Sequence, residues 1–349
     1  VISFIMDIEN LSYPEAIEHL AKRAGMKLPE KGEASPESKK RARILEANKA
    51  AAHFFVNTLY NESGREVLDY IKSRGITAKT AKSFGLGAAP KSSYALQNEL
   101  IKQGFTHEEL LAADLIRKGD RGYYDTFRNR LMFPVIDTRK NVIAFSGRAL
   151  DVEARAKYLN SSDTVVWHKG RQLFGLNLAK NSKADYFLLV EGNIDVTALH
   201  QSGFDSAVAS LGTALTEEQA RLLSNYKNKV IICYDGDTPG QKATDKAIKI
   251  LDRLDVETRI ITIPGDMDPD EYIKARGRDA FEELIVNGSG GIDYKLRKIT
   301  EKYPDRSETT EKLNFLKEAT RLAATLYRPL ERNVYAEKIA ALAGVDKKS

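Results

Sequence analysis

Two short apolar runs, each followed by a cluster of acidic residues, constrain the fold of this chain more than any other feature. Residues 186–190 (Tyr-Phe-Leu-Leu-Val) precede the acidic cluster at 191–195, and residues 230–234 (Val-Ile-Ile-Cys-Tyr) precede a second one at 235–237. Runs of this length, rich in branched residues and bounded by glycine and charge, predict buried strands. Helix-like stretches lie between and after them. The alternation predicts an α/β fold with a mostly parallel sheet and helices on both faces.

The two clusters fall where such a sheet binds ligands. Ligands sit outside the carboxyl ends of the strands, at the point where the strand order reverses. We therefore expect Glu191, Asp235 and Asp237 to converge on one patch. Carboxylates that lie close together repel one another, and a divalent cation removes that repulsion. A site built from carboxylate oxygens suits Mg²⁺ or Mn²⁺.

A third acidic group strengthens this interpretation. Asp266, Asp268 and Asp270 follow another predicted strand at 259–263 and can supply a second metal position. Two ions roughly 3.5–4 Å apart would hold the attacking and leaving oxygens of a displacement at phosphorus. Alternatively, the Asp-Gly-Asp at 235–237 is a solvated turn, because Asp and Gly both favour turns. Three acidic groups after three strands favour the metal-dependent phosphoryl site.

The distribution of charge matters more than its total. The net charge is +5, but residues 118–183 carry a net charge of +7 and residues 184–288 one of −8. A basic block beside an acidic one is what a polyanion-binding surface next to a metal site requires. No stretch approaches the ~20 apolar residues of a membrane span. A single cysteine, Cys233, excludes an internal disulfide and a multi-cysteine zinc site.

The basic block is rich in predicted strands. Residues 131–136 and 141–145 predict a hairpin with a basic tip at 137–140. Its Arg and Lys residues can contact phosphates. Aromatic residues of the same block either stack on bases or belong to the core; they are Tyr158, Trp167 and Phe174.

The remaining segments are predicted to be mainly helical. Residues 1–28 are predicted to be helical, and a Ser-x-x-Glu capping pattern that begins at Ser12 marks the start of a helix within them. Residues 29–40 predict an exposed linker, because they contain two prolines and no large apolar residue. A long helix follows over 39–60. Shorter helices are predicted at 64–73, 77–83, 93–103 and 107–113, and further helices at 292–302, 308–327 and 331–343 after a hinge-like break at 289–291.

The motifs resemble a known family. Glu191-Gly followed by Asp235-x-Asp237 is similar to the Toprim domain that primases, several topoisomerases and some nucleases share. The neighbouring motifs resemble those of bacterial DnaG-type primases, and they cover nearly the whole chain. They lie at 128–134, 145–148, 157–161, 169–175, 190–196, 207–213, 233–240 and 268–270.

This resemblance implies DNA-directed synthesis of RNA primers for replication, a metal-dependent nucleotidyl transfer. Asp235 and Asp237, with Asp268 or Asp270, would hold Mg²⁺ or Mn²⁺, two or more ions in all. Glu191 would bind metal or accept the hydroxyl proton. Asp195 would orient the site from behind the ligands. The template and the incoming nucleotide would be held by Arg130, Arg148, Lys157, Asn160, Lys169 and Arg171.

The resemblance also implies a domain order and partners. It predicts a helical junction (1–28), a linker (29–40), a basic α+β subdomain (41–183), a Toprim domain (184–288) and a helical subdomain (289–349). We expect a catalytic core without the family's zinc-ribbon and helicase-binding domains, and so without zinc.

The expected partners are single-stranded DNA, ribonucleoside triphosphates, the RNA primer and, through the absent domain, the replicative helicase. We expect a monomer of the bacterial cytoplasm that does not bind membranes. Two alternatives remain open. The chain is another Toprim enzyme, such as a nuclease or topoisomerase, or a nucleic-acid-binding module without catalysis.

Overall fold

The structure is a computed structural model. It describes residues 1–9, 11–26, 35–151, 154, 156–265, 267–326 and 328–345. Asp266 and residues 29–34 of the predicted linker therefore lie outside the described residues. No described helix is both long enough and apolar enough to cross a membrane.

The N-terminal helices follow the capping signals of the sequence. Helices α1 (Ile2–Glu9) and α2 (Tyr13–Arg23) form a pair. The Ser12 N–H donates to the Glu15 carboxylate over 2.7 Å, as the capping pattern predicts. The next helix, α3 (Pro36–Leu59), begins earlier than predicted. The Ser35 hydroxyl accepts the N–H of Ser38, and Pro36 suits the first helical position. The linker prediction is thus wrong for 36–40.

An antiparallel sheet carries the basic block. Its strand order is β1-β4-β5-β6, and α3 packs against β1 and β5. The predicted hairpin is confirmed, because β4 pairs with β5 on either side of residues 137–141. The strands are β1 (Gly87–Ala89), β4 (Arg130–Ile136), β5 (Val142–Ala149) and β6 (Tyr158–Asn160), with a separate hairpin of β2 (Ile116–Gly119) and β3 (Gly122–Asp125). The helices of this region are α4 (Arg65–Ser73), α5 (Ala78–Phe84), α6 (Ala95–Lys102), α7 (His107–Ala112) and α8 (Leu176–Ala179).

A mostly parallel sheet follows, as the sequence predicts. Its order is β11-β10-β9-β7-β8, and only β11 runs antiparallel to its neighbour. Because β8 and β9 lie on opposite sides of β7, the strand order reverses at β7. The strands are β7 (Phe187–Val190), β8 (Ala207–Ala209), β9 (Lys229–Ile232), β10 (Glu257–Ile260) and β11 (Ser289–Gly290). The helices are α9 (Asn193–Gln201), α10 (Glu217–Ser224), α11 (Thr238–Asp252) and α12 (Pro269–Val286).

Two details of this sheet differ from the sequence prediction. Strand β10 spans 257–260 rather than 259–263, because its register on β9 pairs Glu257 with Lys229 and Ile260 with Ile232. The predicted hinge at 289–291 is wrong. Ser289 and Gly290 instead add a short edge strand, β11, to β10.

The last three helices lie near their predicted positions. They are α13 (Gly291–Lys302), α14 (Thr309–Ala324) and α15 (Pro329–Ala343), and they share a small core of their own around Phe315. The largest core, by contrast, joins the antiparallel sheet to one face of the parallel sheet. Phe84 stacks on Phe174 there at 5.6 Å between ring centroids. The basic and acidic regions are therefore packed against each other.

Candidate active site

The first two acidic clusters meet at the carboxyl ends of β7 and β9. Glu191 directly follows β7, and its Oε1 accepts the backbone N–H of Asp235 over 3.1 Å. Asp237 caps helix α11 by accepting the N–H of Gly240 over 2.8 Å. The structure therefore brings Glu191, Asp235 and Asp237 together, at the place where the strand order reverses.

Gly240 makes this close approach possible. A Cβ at this position would lie 2.2 Å from the carbonyl oxygen of Asp235 and 3.0 Å from Oε1 of Glu191. No real Cβ tolerates the first of these contacts. The first turn of α11 can therefore sit against both acidic residues only because residue 240 has no side chain.

The carboxylates also interact electrostatically. Partial burial raises the pKa of Glu191, and the charges of Asp235 and Asp237 raise it further. Burial likewise raises the pKa of Asp235, followed by the charges of Asp237 and Asp268. Lys157 acts in the opposite direction on Asp235. Like charges thus face one another here, with Lys157 as a nearby cation.

The third acidic group joins the other two through Asp195. Burial raises the pKa of Asp195 to about 8, and the charges of Asp268, Asp235 and Asp270 add to the shift. The Asp195 carboxylate accepts the N–H of Gly192 over 3.1 Å. Asp268 caps helix α12 by accepting the N–H of Glu271 over 2.7 Å. We call Glu191, Asp195, Asp235, Asp237 and Asp268 the acidic edge.

Asp270 differs from the acidic edge because its charge is already neutralised. Its side chain is buried and lies 2.6 Å from Nζ of Lys274 and 3.9 Å from Nη1 of Arg74. In the described part of the chain, no salt bridge forms at Glu191, Asp235 or Asp237. Asp270 is therefore the acidic residue of this group that needs an added cation least.

The chemistry of the acidic edge fits a hard divalent cation. Its donors are carboxylate oxygens that repel one another, which is the donor set that Mg²⁺ and Mn²⁺ prefer. Glu191, Asp235, Asp237 and Asp268 would hold such an ion. Across the described residues, however, no three His, Cys, Asp or Glu side chains are already gathered into a complete metal site.

The predicted basic residues fall into two groups. Arg130 and Arg148 are half-buried and are held by the protein itself. Arg130 Nη1 donates to the carbonyl oxygens of Gly147 (3.0 Å) and Ala156 (3.2 Å). The guanidinium of Arg148 lies over the rings of Tyr70 and Tyr158, at 5.3 and 5.5 Å from their centroids.

The other predicted residues are more open. Lys157 and Arg171 are exposed, and Lys169 is half-buried in a 3₁₀ turn with Arg171. The amide nitrogen of Asn160 donates to the carbonyl oxygen of Leu211 over 2.9 Å. Its Oδ1 is buried and, among the described residues, has no hydrogen-bond partner. Lys157 and Asn160 thus lie at the border between the basic sheet and the acidic region.

Sequence reasoning missed two residues that reach this site. Arg74 follows helix α4 and pairs with Asp270, and its Nε donates to the Tyr70 hydroxyl over 3.0 Å. Burial acts to lower the pKa of Arg74, but Tyr70, Asp270 and Asp268 outweigh it and raise the pKa. The Tyr-x-x-x-Arg spacing on α4 predicts that the two side chains meet. Nothing in the sequence predicts that they meet Asp270.

Two predicted roles in the basic block are not supported. Trp167 and Phe174 are 1% and 2% exposed, so they belong to the core and cannot stack on bases. At the hairpin tip Lys140 is exposed, but Arg139 is already paired with acidic residues of the protein. Arg139 lies 3.6 Å from Asp137 and 3.8 Å from Glu15 of helix α2.

Comparison with known proteins agrees with this architecture. The family "DNA primase catalytic core, N-terminal domain" matches residues 54–180, and the family "Toprim-like" matches residues 188–273. A DNA primase of Clostridium acetobutylicum is 37% identical over 348 residues, 99% of this chain. The match covers 58% of that relative, so the chain spans a little over half of its length.

Solved structures give the same result. A DnaG primase catalytic domain bound to single-stranded DNA has a TM-score of 0.76 and 30% identity, over 89% of this chain and 99% of that one. The RNA polymerase domain of Mycobacterium tuberculosis primase DnaG, in complex with double-stranded DNA, has a TM-score of 0.79 and 30% identity, over 88% and 99% of the chains. The chain therefore belongs to the DnaG-type DNA primases and corresponds to their catalytic core.

Proposed function

We propose that this chain synthesises RNA primers on single-stranded DNA from ribonucleoside triphosphates. The observation that carries the proposal is the acidic edge, where Glu191, Asp235 and Asp237 converge at the strand reversal without a salt bridge to any described residue, and where the charge of Lys157 acts on Asp235. Such an arrangement is suited to binding metal and phosphate together. Family membership supports the choice of reaction.

We assign the acidic residues separate roles. Glu191, Asp235, Asp237 and Asp268 hold the divalent cations. Mg²⁺ or Mn²⁺, when bound, would stabilise negative charge on the reacting phosphate. Asp270 would join the ligands only if it gave up Lys274.

Glu191 is also placed to accept a proton. Its raised pKa suits it to receive the proton of the attacking 3′-hydroxyl, and its hydrogen bond from Asp235 N–H orients the carboxylate. The oxygen then attacks the α-phosphorus of the next nucleotide and pyrophosphate leaves. Asp195 orients this group from behind, through its bond to Gly192 N–H.

The basic residues hold the nucleic acid and the nucleotide. Lys157, Lys169 and Arg171 supply phosphate contacts, since their side chains reach solvent. Asn160 contacts the nucleotide after a side-chain movement that exposes its buried Oδ1, which has no hydrogen-bond partner among the described residues. Arg148 contacts ligand from between its two tyrosines, and Arg130 supports the strand that carries Arg148.

We extend the proposal to the wider setting of the reaction. The chain acts as a monomer in the bacterial cytoplasm, with the RNA primer as product. In the full-length protein another region contacts the replicative helicase. The basic subdomain (41–183), the Toprim domain (184–288) and the helical subdomain (289–349) are the functional units. One solved relative has single-stranded DNA bound to its catalytic domain, which supports the proposed template.

Primer synthesis on a single-stranded template tests the proposal. The protein should extend labelled ribonucleotides in Mg²⁺ or Mn²⁺ and should stop when EDTA is added. Glu191→Gln and Asp235→Ala should each lower the rate at least about a hundredfold. Glu218→Gln, on the exposed start of α10, is the matched control and should retain the rate.

Three results would contradict the proposal. Full activity in Glu191→Gln or Asp235→Ala would exclude the acidic edge as the site. Relaxation of supercoiled DNA, or degradation of DNA without nucleotides, would indicate another Toprim enzyme. Nucleic-acid affinity and stability that do not respond to metal would indicate a binding module without catalysis.

A further inference from the structure

The C-terminal residue of helix α9, Gln201, is hydrogen-bonded to a loop of the basic region. The side-chain Nε2 of Gln201 donates to the carbonyl oxygen of Gly75 over 2.8 Å, and its Oε1 accepts the N–H of Thr77 over 2.7 Å. Both ends of one amide are therefore used on one short loop between α4 and α5. Two hydrogen bonds from a single planar group fix the loop in orientation as well as in distance.

The loop that Gln201 holds includes Arg74. This residue directly precedes Gly75, and its guanidinium reaches Asp270 (3.9 Å) and the Tyr70 hydroxyl (3.0 Å). Tyr70 in turn lies under the guanidinium of Arg148. A shift of the loop would move Arg74 away from Asp270, and would disturb the ring on which Arg148 rests.

The near end of α9 belongs to the acidic edge. The helix starts at Asn193, beside Glu191, and Asp195 lies in its first turn. The amide nitrogen of Asn193 also donates to the Ser146 hydroxyl of β5 over 2.9 Å, two residues before Arg148. A helix of nine residues is stiff over this length, so it fixes the distance between the acidic edge and the loop that Gln201 holds.

We propose that Gln201 is a positioning residue that holds Arg74 against Asp270 and thereby sets the charge balance of the acidic edge. The predicted change in primer synthesis rests on the proposed function. Gln201 is exposed, so the loss of its side chain leaves no core cavity. Once Arg74 is released, Lys274 still pairs with Asp270, but the positive charge that Arg74 places near Asp270 and Asp268 is lost. The acidic edge should then bind cations more tightly while primer synthesis slows.

The test measures Mn²⁺ affinity, primer synthesis and hydrogen exchange in parallel. Gln201→Ala should raise the affinity for Mn²⁺ roughly twofold to fivefold at low salt, because the positive charge of Arg74 then lies farther from the acidic edge and water screens the change. It should lower kcat/KM for primer synthesis by roughly tenfold to a hundredfold, as a displaced site residue does. Exchange of the Thr77 amide should become faster.

Three further variants make the test specific. Gln201→Met keeps the length of the side chain without its hydrogen bonds, so it should reproduce all three changes even if the alanine variant folds poorly. Gln103→Ala is the matched control, because the side-chain amide of this exposed glutamine donates to Glu99, four residues before it, and so stays within its own region. Arg74→Gln should match or exceed the effect of Gln201→Ala, and the double variant should be no worse than Arg74→Gln alone.

The outcomes separate this inference from the proposed function. Absence of primer synthesis in the unmodified protein would overturn the proposed function, whereas Mn²⁺ affinity and Thr77 exchange would still report on Gln201. Unchanged Mn²⁺ affinity in both Gln201 variants would overturn the inference, whatever happens to the rate. Additive effects of Gln201→Ala and Arg74→Gln would overturn it as well, since Gln201 would then act by another route.

Discussion

The acidic edge and the antiparallel basic sheet are both highly charged, but they differ in how far the protein itself compensates those charges. In the acidic edge, Glu191 and Asp235 face other carboxylates, and their pKa values are raised. In the basic sheet, Arg130 is bonded to two carbonyl oxygens and Arg148 is held between two tyrosines. One region leaves its charges uncompensated, whereas the other has already used many of them in its own structure.

The difference shows that sign and number of charges do not identify a binding residue. A charge that the fold has already paired stabilises the fold, and a charge that the fold leaves under repulsion favours a ligand of opposite sign. By this criterion Lys157 and Arg171 are better candidates for nucleic-acid contact than Arg130 or Arg139. Among the acidic residues, Asp235 is a better metal ligand than Asp270.

Neutralising Asp235 should give the largest effect and the clearest contrast. In Asp235→Asn, primer synthesis should fall at least about a hundredfold. The melting temperature of the metal-free protein should rise, because the amide no longer repels Asp237 and Asp268. Thermal unfolding in EDTA, beside a primer-synthesis assay, measures both. A lower melting temperature in EDTA would show that the Asp235 charge is compensated after all.

Two basic residues should separate stability from binding. Arg130→Ala should lower the free energy of unfolding by about 1–3 kcal/mol, because it leaves the carbonyl oxygens of Gly147 and Ala156 without their donor. Lys157→Ala should change it by less than about 0.5 kcal/mol but should weaken binding of single-stranded DNA at low salt. Urea denaturation and fluorescence anisotropy measure the two quantities. The reverse pattern would invert the assignment of these residues.

The acidic edge should also make the metal-free protein sensitive to pH. Burial and neighbouring carboxylates raise the pKa of Asp195 to about 8, whereas the unfolded chain releases this proton at about pH 4. The folded state then binds more protons between these values, so this stabilisation is complete below about pH 4 and is lost as pH rises through about 8. From about pH 5 to 8 in EDTA, the free energy of unfolding should fall by at least about 1.4 kcal/mol, the equivalent of one pKa unit. Asp195→Asn should reduce this slope and leave the part that the raised pKa values of Glu191 and Asp235 contribute.

The smallest effect is expected at the hairpin tip. Arg139→Ala should lower the free energy of unfolding by less than about 1 kcal/mol, since its ion pairs with Asp137 and Glu15 are long and near the surface. Affinity for single-stranded DNA should not change. A salt-dependent loss of DNA affinity in this variant would return the tip to the binding surface.

Much of the fold follows from local signals in the sequence. Local patterns predict the strand before Glu191, the helix cap at Ser12 and the hairpin at 131–145. Each of these patterns, the spacing of apolar residues or a capping residue, involves only a few neighbouring positions. The errors arise where distant residues decide. Helix α3 starts at Pro36 because Ser35 caps it, although the polar, proline-containing composition predicted a linker. Ser289 belongs to a strand only because β10 has a free edge with which it pairs.

The site divides in the same way. The sequence alone determined that acidic residues follow β7 and β9, and therefore that Glu191, Asp235 and Asp237 meet, since parallel strands place their carboxyl ends at one edge. Only the tertiary structure decided which charges are compensated. Arg74 pairs with Asp270 because Gln201 holds its loop, and Trp167 is buried because two sheets share one core. Such contacts depend on packing between residues far apart in the chain, which no local pattern encodes.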